Sequence, residues 1–541
     1  MSEWIQKDMK KLFVFPILLA LIFSSVEVGS AGVRPDLNKP NQGIRINEGF
    51  MPRVNVPVIF GSAEASKTPI LRFCSDLFDE VCTKAAYITA TSHLPPCDAT
   101  IKVNCISTVY AVDETGKTTN GKFIKLVPES GSRDFPALVN NNLPQGKGQG
   151  GVWQLPGITH SGGNDNYYVT SIFFADLMKA SGASVTDQKF KIKRLEAVIG
   201  AVNEQSGSYS PQFAMDASNP SQDGSPNGGA GSGSRSGAAD QDKCLVFGVG
   251  TCQMPQNFPK NLRFGISIVL GERLQGWFHG RIYKPQINIT NDQNGGQTIN
   301  IEAEPVIVPT IEKLIPTSQI SEDLRNYLSK DQQFSTGGDY LMPGSSGEDA
   351  FDQAKLWLPL INDKASTSQS VWTVRTLEFN QANWNIRNCS ASGSQLSGVV
   401  TTNSLVYSAG PPSYNPQTQT LDYKLISPHL NADETDAIGT YDLVIKSEVA
   451  RCIYGFSNAP IQASISIVGS NGENKVATTV INEKNGWLYL SANGFTYSSP
   501  LIKVKLSQAK NQKYSISCIK GKVTKKVTGT KPKCPSGFKI K

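Results

Sequence analysis

Apolar and polar residues alternate with a period of two along most of the chain. In LIKVKL, Ile502, Val504 and Leu506 fall on one face and Lys503 and Lys505 on the other, the pattern of a strand with one face buried. QASISIVG repeats it, setting Ala463, Ile465 and Ile467 against Gln462, Ser464 and Ser466. Two stretches hold residues that accept left-handed backbone and predict hairpin turns: GSNGENK, centred on Asn471-Gly472, and VDETGKTTNGKF, with Gly116 and Asn120-Gly121. Strands recurring at short intervals between Gly, Asn and Ser turns predict a mainly β protein whose C-terminal domain is an antiparallel, Ig-like β-sandwich.

Only the middle of the chain takes a helical period. SQISEDLRNYLSKD puts Ile320, Leu324, Tyr327 and Leu328 on one face, and SGEDAFDQAKLWLP runs from a Ser346 cap through Phe351, Ala354 and Leu358 until Pro359 stops it. Residues 205–243 hold almost nothing that can be buried: Gly, Ser, Asn, Asp and Pro dominate, as in a flexible linker or a long loop. Strand-like sequence on both sides, KFKIKRLEAVIGAV and NLRFGISIVLGERLQGWFHGRIYKPQINI, leaves open whether this stretch separates domains or is inserted in one. The expected division is a signal peptide (1–31), a β-rich N-terminal domain (32–204), the linker or loop (205–243), a β segment (244–308), a helical insertion (309–365), the sandwich (366–513) and a basic tail (514–541).

The leader reads as follows: Lys7, Lys10 and Lys11 precede the apolar run from Leu12 to Phe23, and Gly29, Ser30 and Ala31 close the stretch, the layout of a secretory signal peptide cut after Ala31. The apolar run is too short to cross a bilayer core, which needs about 20 residues. All ten cysteines lie beyond that cut, and an even count in an exported chain predicts disulfides. Their spacing suggests Cys74 with Cys82, Cys97 with Cys105, Cys244 with Cys252 and Cys518 with Cys534, leaving Cys389 and Cys452 for each other. For the first four, the nested pairing of Cys74 with Cys105 and Cys82 with Cys97 competes. A zinc site is the rival reading, but zinc favours closer cysteines and a histidine nearby.

The net charge of +7 is localised. Eight lysines, Lys520, Lys522, Lys525, Lys526, Lys531, Lys533, Lys539 and Lys541, fall between Tyr514 and Lys541 without one Asp or Glu, and removing them from +7 leaves −1 for the rest. A nearly neutral body with one basic knob argues against nucleic acid as partner and for an anionic cell-wall polymer or a membrane surface, with a merely solvated tail as the rival.

Catalytic signals are sparse. His93, His160, His279 and His429 stand apart, without HExxH or a carboxylate at ligand spacing, and His279 in GWFHGR is expected as a strand residue beside Trp277 and Phe278. Asn164, Asp165 and Asn166, and likewise Asn431, Asp433 and Asp436, offer oxygens for calcium but lack the ligand register and closing glutamate, so plain turns are expected. Ser507 and Lys510 form an SxxK without its companion motifs, and Gly146, Gly148 and Gly151 match GxGxxG without a helix pattern after it. No cofactor or metal site is expected. The paired carboxylates of glycoside hydrolysis converge from distant strands and leave no local trace, so a secreted carbohydrate-active hydrolase is the alternative function. Carbohydrate is also a candidate partner for a binding module. Trp372, Trp384, Tyr407, Tyr454, Trp487, Tyr489 and Tyr497 would serve it if exposed on one face, and Asn288-Ile-Thr290 and Asn388-Cys-Ser390 match the glycosylation sequon.

The end of the chain, CIKGKVTKKVTGTKPKCPSGFK, resembles a tail recurring on uncharacterised exported and cell-surface proteins of actinobacteria, carried here by Cys518, Lys520, Gly521, Lys522, Lys525, Lys526, Val527, Thr528, Pro532, Lys533, Cys534, Pro535, Gly537, Phe538 and Lys539. YDLVIKSEVARCIYGFSNAPIQASISIVG and ATTVINEKNGWLYLSANGFTYSSP look like the segment that precedes it in such proteins. The resemblance implies an exported protein at the envelope surface and brings no catalytic residues. A non-catalytic structural, adhesive or surface-binding role is therefore expected, with a stapled cationic tail whose sizeable apolar residues are Val523, Val527 and Phe538.

Overall fold

The computed structural model describes residues 34–48, 57–63, 72–127, 134–148, 150–179, 183–209, 244–330, 334, 336–337, 339–377, 389, 396–457, 461–468, 474–476, 480–497, 501–508, 514–529 and 532–541. The expected signal peptide, residues 210–243 of the linker or loop, the Asn471-Gly472 turn, Trp384, Asn388, Lys510 and Lys531 lie outside them. The protein is mainly β, built from several antiparallel sheets.

Ten strands form one continuous run. In spatial order they are Val58–Ser62, Tyr87–His93, Asn166–Met178, Lys191–Ser206, Thr367–Leu377, Gly276–Asn291, Leu396–Thr402, Ile438–Lys446, Trp487–Thr496 and Val480–Lys484. All neighbours are antiparallel except Gly276–Asn291 with Leu396–Thr402. Successive side chains point to opposite faces of a strand, and here each face feeds a different core. Phe278, Val399 and Val444 enter one, while Trp277, Val400, Leu443 and Ile445 enter the other. Leu396–Thr402 is accordingly buried at every position.

The first core is closed by a ladder in the order Cys105–Val112, Arg263–Leu270, Gln297–Pro316 and the far half of Gly276–Asn291. The second is closed by Thr420–Ile426, Leu501–Gln508 and Ile461–Val468. In that sheet Ile502, Val504 and Leu506 are buried as their alternation predicts, and they pair directly with Ile467, Ile465 and Ala463. Strand Gly276–Asn291 reaches both layers by bending after Arg281. Lys284 adopts a left-handed φ of 49°, the register slips between Tyr283 and Gln286, and Pro285, which has no N–H to donate, sits in the bulge.

The helical middle packs a third core. Ser321 caps Glu322–Leu328 by accepting from the Leu324 N–H at 3.1 Å, and Ile320, Leu324, Tyr327 and Leu328 are buried against Ile44, Ile311 and Ile315. One boundary expectation is corrected: Gly347, at φ 98°, is the N-cap of Glu348–Trp357 in place of Ser346. The α-helix ends at Trp357, just before Pro359, which sits at the start of a 3-10 turn, Leu358–Ile361, where its missing N–H costs no bond. Among the described residues no helix is long and apolar enough to cross a membrane.

All five disulfides follow the pairing that spacing suggests: Cys74–Cys82, Cys97–Cys105, Cys244–Cys252 and Cys518–Cys534, with Cys389–Cys452 as the remaining pair. The nested alternative for the first four is thereby excluded. Five such bonds suit an oxidising, extracellular setting. On either side of 205–243, Lys191–Ser206 pairs with Thr251–Pro255, so one sheet holds both flanks of that stretch.

Candidate functional site

Residues Tyr514–Lys520, Val523–Gly529 and Lys539–Ile540 form a separate three-stranded sheet. Gly521, at φ 60°, opens the two-residue turn between the first pair, a left-handed position that glycine takes without strain. Cross-strand partners share a face. Cys518 faces Lys525 and Ile540, and the segment tied down by Cys534 covers that side, with the Lys525 ammonium 5.3 Å from the Phe538 ring centroid. Ser517 faces Lys526 on one flank and, through the bond from the Lys541 N–H to its carbonyl, Lys541 on the other. Ile519 faces Thr524 and Lys539.

The open face therefore carries Lys526, Lys539 and Lys541 among Ser515, Ser517, Thr524 and Thr528. Every one of these side chains is exposed, and half-buried Ile519 lies at their centre. Strand spacing puts the Lys526 and Lys541 Cα atoms about 10 Å apart across Ser517. Lys520, Lys522, Lys525 and Lys533 are exposed around the turn and the covered side, and none of the seven described lysines pairs with a carboxylate among the described residues. The expected apolar core of this module needs correction: Val523 is 55% exposed, because it pairs with Lys520 at the hairpin end beyond the reach of the stapled segment, and among the described residues the one buried side chain is Cys518. With so little core and so much like charge, the crosslink is what holds the sheet together. A disulfide at a separation of 16 residues stabilises by about 3 kcal/mol.

A second feature is a groove of about 460 Å³ where the bent strand Gly276–Asn291 abuts the far end of the ten-strand sheet. One wall is the outer face of the first core's ladder. Tyr110, Gly265, Glu302 and Gln286 lie in register across four strands, with Asn300 opposite Asn288 in an adjacent row. A Cβ on Gly265 would come within 2.2 Å of the Tyr110 ring, so glycine there lets the phenol lie across the ladder towards Glu302. The other wall carries Asp442 and Val444, Ser491 and Tyr489, and Asn482. The Tyr489 hydroxyl lies 3.5 Å from the Ile287 carbonyl, which joins the walls.

The charged groups of the groove are largely engaged. Glu302 accepts from Arg263 at 2.6 Å, and Lys284 pairs with Glu304 at 3.2 Å. Burial, with Glu302 beside it, pushes the Tyr110 phenol up to about 12. Asp442 accepts from the Lys284 N–H at 2.9 Å and the Thr401 hydroxyl at 3.2 Å, which fixes the bulge. Its burial pushes the carboxyl up to about 6 against those bonds.

The remaining sequence candidates are occupied structurally. Asp165 accepts from the Gln154 amide and the Gly157 N–H, Asn164 from His160 and the Asn166 N–H, and Asp433 from the Thr435 N–H and hydroxyl, so these side chains build turns. His93 bonds Thr170, and His429 bonds Asp363. His279 is a strand residue beside Trp277 and Phe278; it stacks on Tyr407 at 3.7 Å, and burial between Arg281 and Arg375 keeps its imidazole well below the usual range. Of the aromatic set, Trp372, Tyr407, Trp487 and Tyr497 are buried and Tyr454 packs against Tyr414 and Phe456, so among its described members only Tyr489 lines the groove. The groove itself escaped the sequence reading, although Gln286, Asn288, Asn300 and Glu302 alternate with isoleucines there. No protein family, curated protein or solved structure matches this chain.

Proposed function

We propose that this chain is an exported, non-catalytic protein of the cell envelope or extracellular space, with a structural, adhesive or surface-binding role, held at an anionic wall polymer or membrane surface by its C-terminal sheet. The observation that supports this reading is the open face bearing Lys526, Lys539 and Lys541 on a crosslinked scaffold with no acid in it. A rigid face presents its charges together, and each lysine near an anionic surface contributes about 1 kcal/mol. Cells expressing the chain with and without residues 514–541 are fractionated and their walls washed with rising salt. Retention that needs the tail and is released by salt supports the reading; equal retention of both forms overturns it.

A second reading, a secreted carbohydrate-active hydrolase, has one observation in its favour: the groove holds both Asp442, with a carboxyl near 6, and Glu302. Release of reducing ends from neutral polysaccharide, abolished by Asp442→Asn, is the result it requires.

A further inference from the structure

We infer that the groove between the two ladders is a binding site for a neutral, polyhydroxylated ligand, a saccharide chain or chain end. Gln286, Asn288, Asn300, Asn482 and Asn485 all line it, and among the described residues none of these five carboxamides has a side-chain hydrogen-bond partner. A carboxamide offers donors and an acceptor from one planar group. A hydroxyl is likewise donor and acceptor, so converging amides match a surface of vicinal hydroxyls better than they match a carboxylate, which only accepts, or an ammonium, which only donates.

The charges of the lining point the same way. Lys284 and Lys484 balance Glu302 and Asp442, and Glu302, Lys284 and Asp442 already have protein partners. An anionic ligand would meet the two carboxylates, and a cation would meet the two ammonium groups. A purely apolar ligand would leave the amides unpaired, at a cost of about 1–3 kcal/mol for each one buried. Tyr110 and Tyr489, one on each wall, supply aromatic surface for the C–H face of a sugar ring. The volume of about 460 Å³ falls within the range of small-ligand sites.

The walls come from strands far apart in the chain but rigidly tied. Asn288 and Asn300 are direct cross-strand partners, and Asn482 is the partner of Tyr489 on the facing hairpin. The backbone positions of the amides are thus set before any ligand arrives, so only their side chains must be ordered on binding. This site stands apart from the lysine face and does not depend on it.

The test uses the full chain with its disulfides intact, made in bacteria so that Asn288 is not glycosylated. The probes are neutral hexasaccharides of glucose, mannose, galactose and N-acetylglucosamine, titrated by calorimetry and by saturation-transfer NMR in high salt, which silences the tail. At least one probe is expected to bind, more tightly than its monosaccharide if the source is a chain. Asn300→Ala and Asn482→Ala, from opposite walls, are each expected to weaken that binding about tenfold, the worth of one such hydrogen bond. Both side chains are unpartnered, so neither change strands a buried group, and unaltered circular dichroism certifies the fold. Failure of every hexasaccharide to bind, or binding indifferent to both substitutions, would overturn the assignment.

Discussion

Glu48 and Arg281 form an ion pair from which solvent is excluded, their side chains 0% and 1% exposed. Arg281 also donates to the carbonyls of Thr402, Ser404 and Leu405, and its guanidinium lies 4.3 Å from the Tyr407 ring centroid. The pair therefore pins the segment after Asn41–Ile46 to the sheet switch that the two main cores share. Removing one partner leaves the other charge buried and alone, which costs about 3–5 kcal/mol. Glu48→Ala is expected to lower the unfolding free energy by that amount in urea titration, while Glu80→Ala, which breaks an exposed pair with Lys84, leaves it nearly unchanged. Equal effects would contradict the assignment.

Asp442 sets a pH dependence of definite sign. Its carboxyl is pushed up to about 6 in the folded protein, so folding favours the protonated acid. The stability it contributes is complete below about 4 and is lost as pH rises through 6. Raising the carboxyl from its ordinary range to about 6 corresponds to about 3 kcal/mol. Neutral His279 works the other way, its contribution present above about 6.5 and lost as pH falls. The difference between wild type and Asp442→Asn cancels the histidine: the variant is expected to gain on wild type as pH rises from 4 to 7. A constant difference across that range would refute the ionisation argument.

At Gly265 the expected outcome is steric. Gly265→Val puts side-chain atoms where the Tyr110 ring lies, and overpacking of this kind costs about 1–3 kcal/mol. The melting temperature should fall. Tyr110→Ala in the same background should restore part of the loss; no rescue would mean that the contact is not the cause.

Alternation made the second core legible, because Leu501–Gln508 buries Ile502, Val504 and Leu506 on one face and turns Lys503 and Lys505 to the other. Leu396–Thr402 lacks that signal, since both its faces are covered and every position is buried. The ten-strand run could not be read for that reason, and because its neighbours are chosen by pairings between distant segments. Half of the groove has a trace in the sequence that went unread, the amides alternating with isoleucines in QINIT and TINIE. The other half, Asn482 and Tyr489, arrives through tertiary packing of a hairpin whose own sequence gives no hint of it. In the tail, the lysines and the staple were legible, but the face they share depends on register, which placed Val523 outside.

The staple carries its own prediction. Replacing Cys518 and Cys534 by serine should remove about 3 kcal/mol from the terminal sheet alone. Trypsin is then expected to cut at its lysines much faster, while the melting of the body is unchanged, since among the described residues no strand of the sheet pairs with the body. Protection equal to wild type would show that packing rather than the crosslink holds the sheet.

The most direct measurement compares two triple variants with equal loss of charge. Binding of the full chain to poly(glycerol phosphate) is titrated for Lys526→Gln, Lys539→Gln and Lys541→Gln combined, and for Lys520→Gln, Lys522→Gln and Lys525→Gln combined. At about 1 kcal/mol per lysine, loss of the open face should weaken binding about a hundredfold, and loss of the turn and covered side far less. Equal weakening by both variants would mean that net charge alone matters and that the open face is no site.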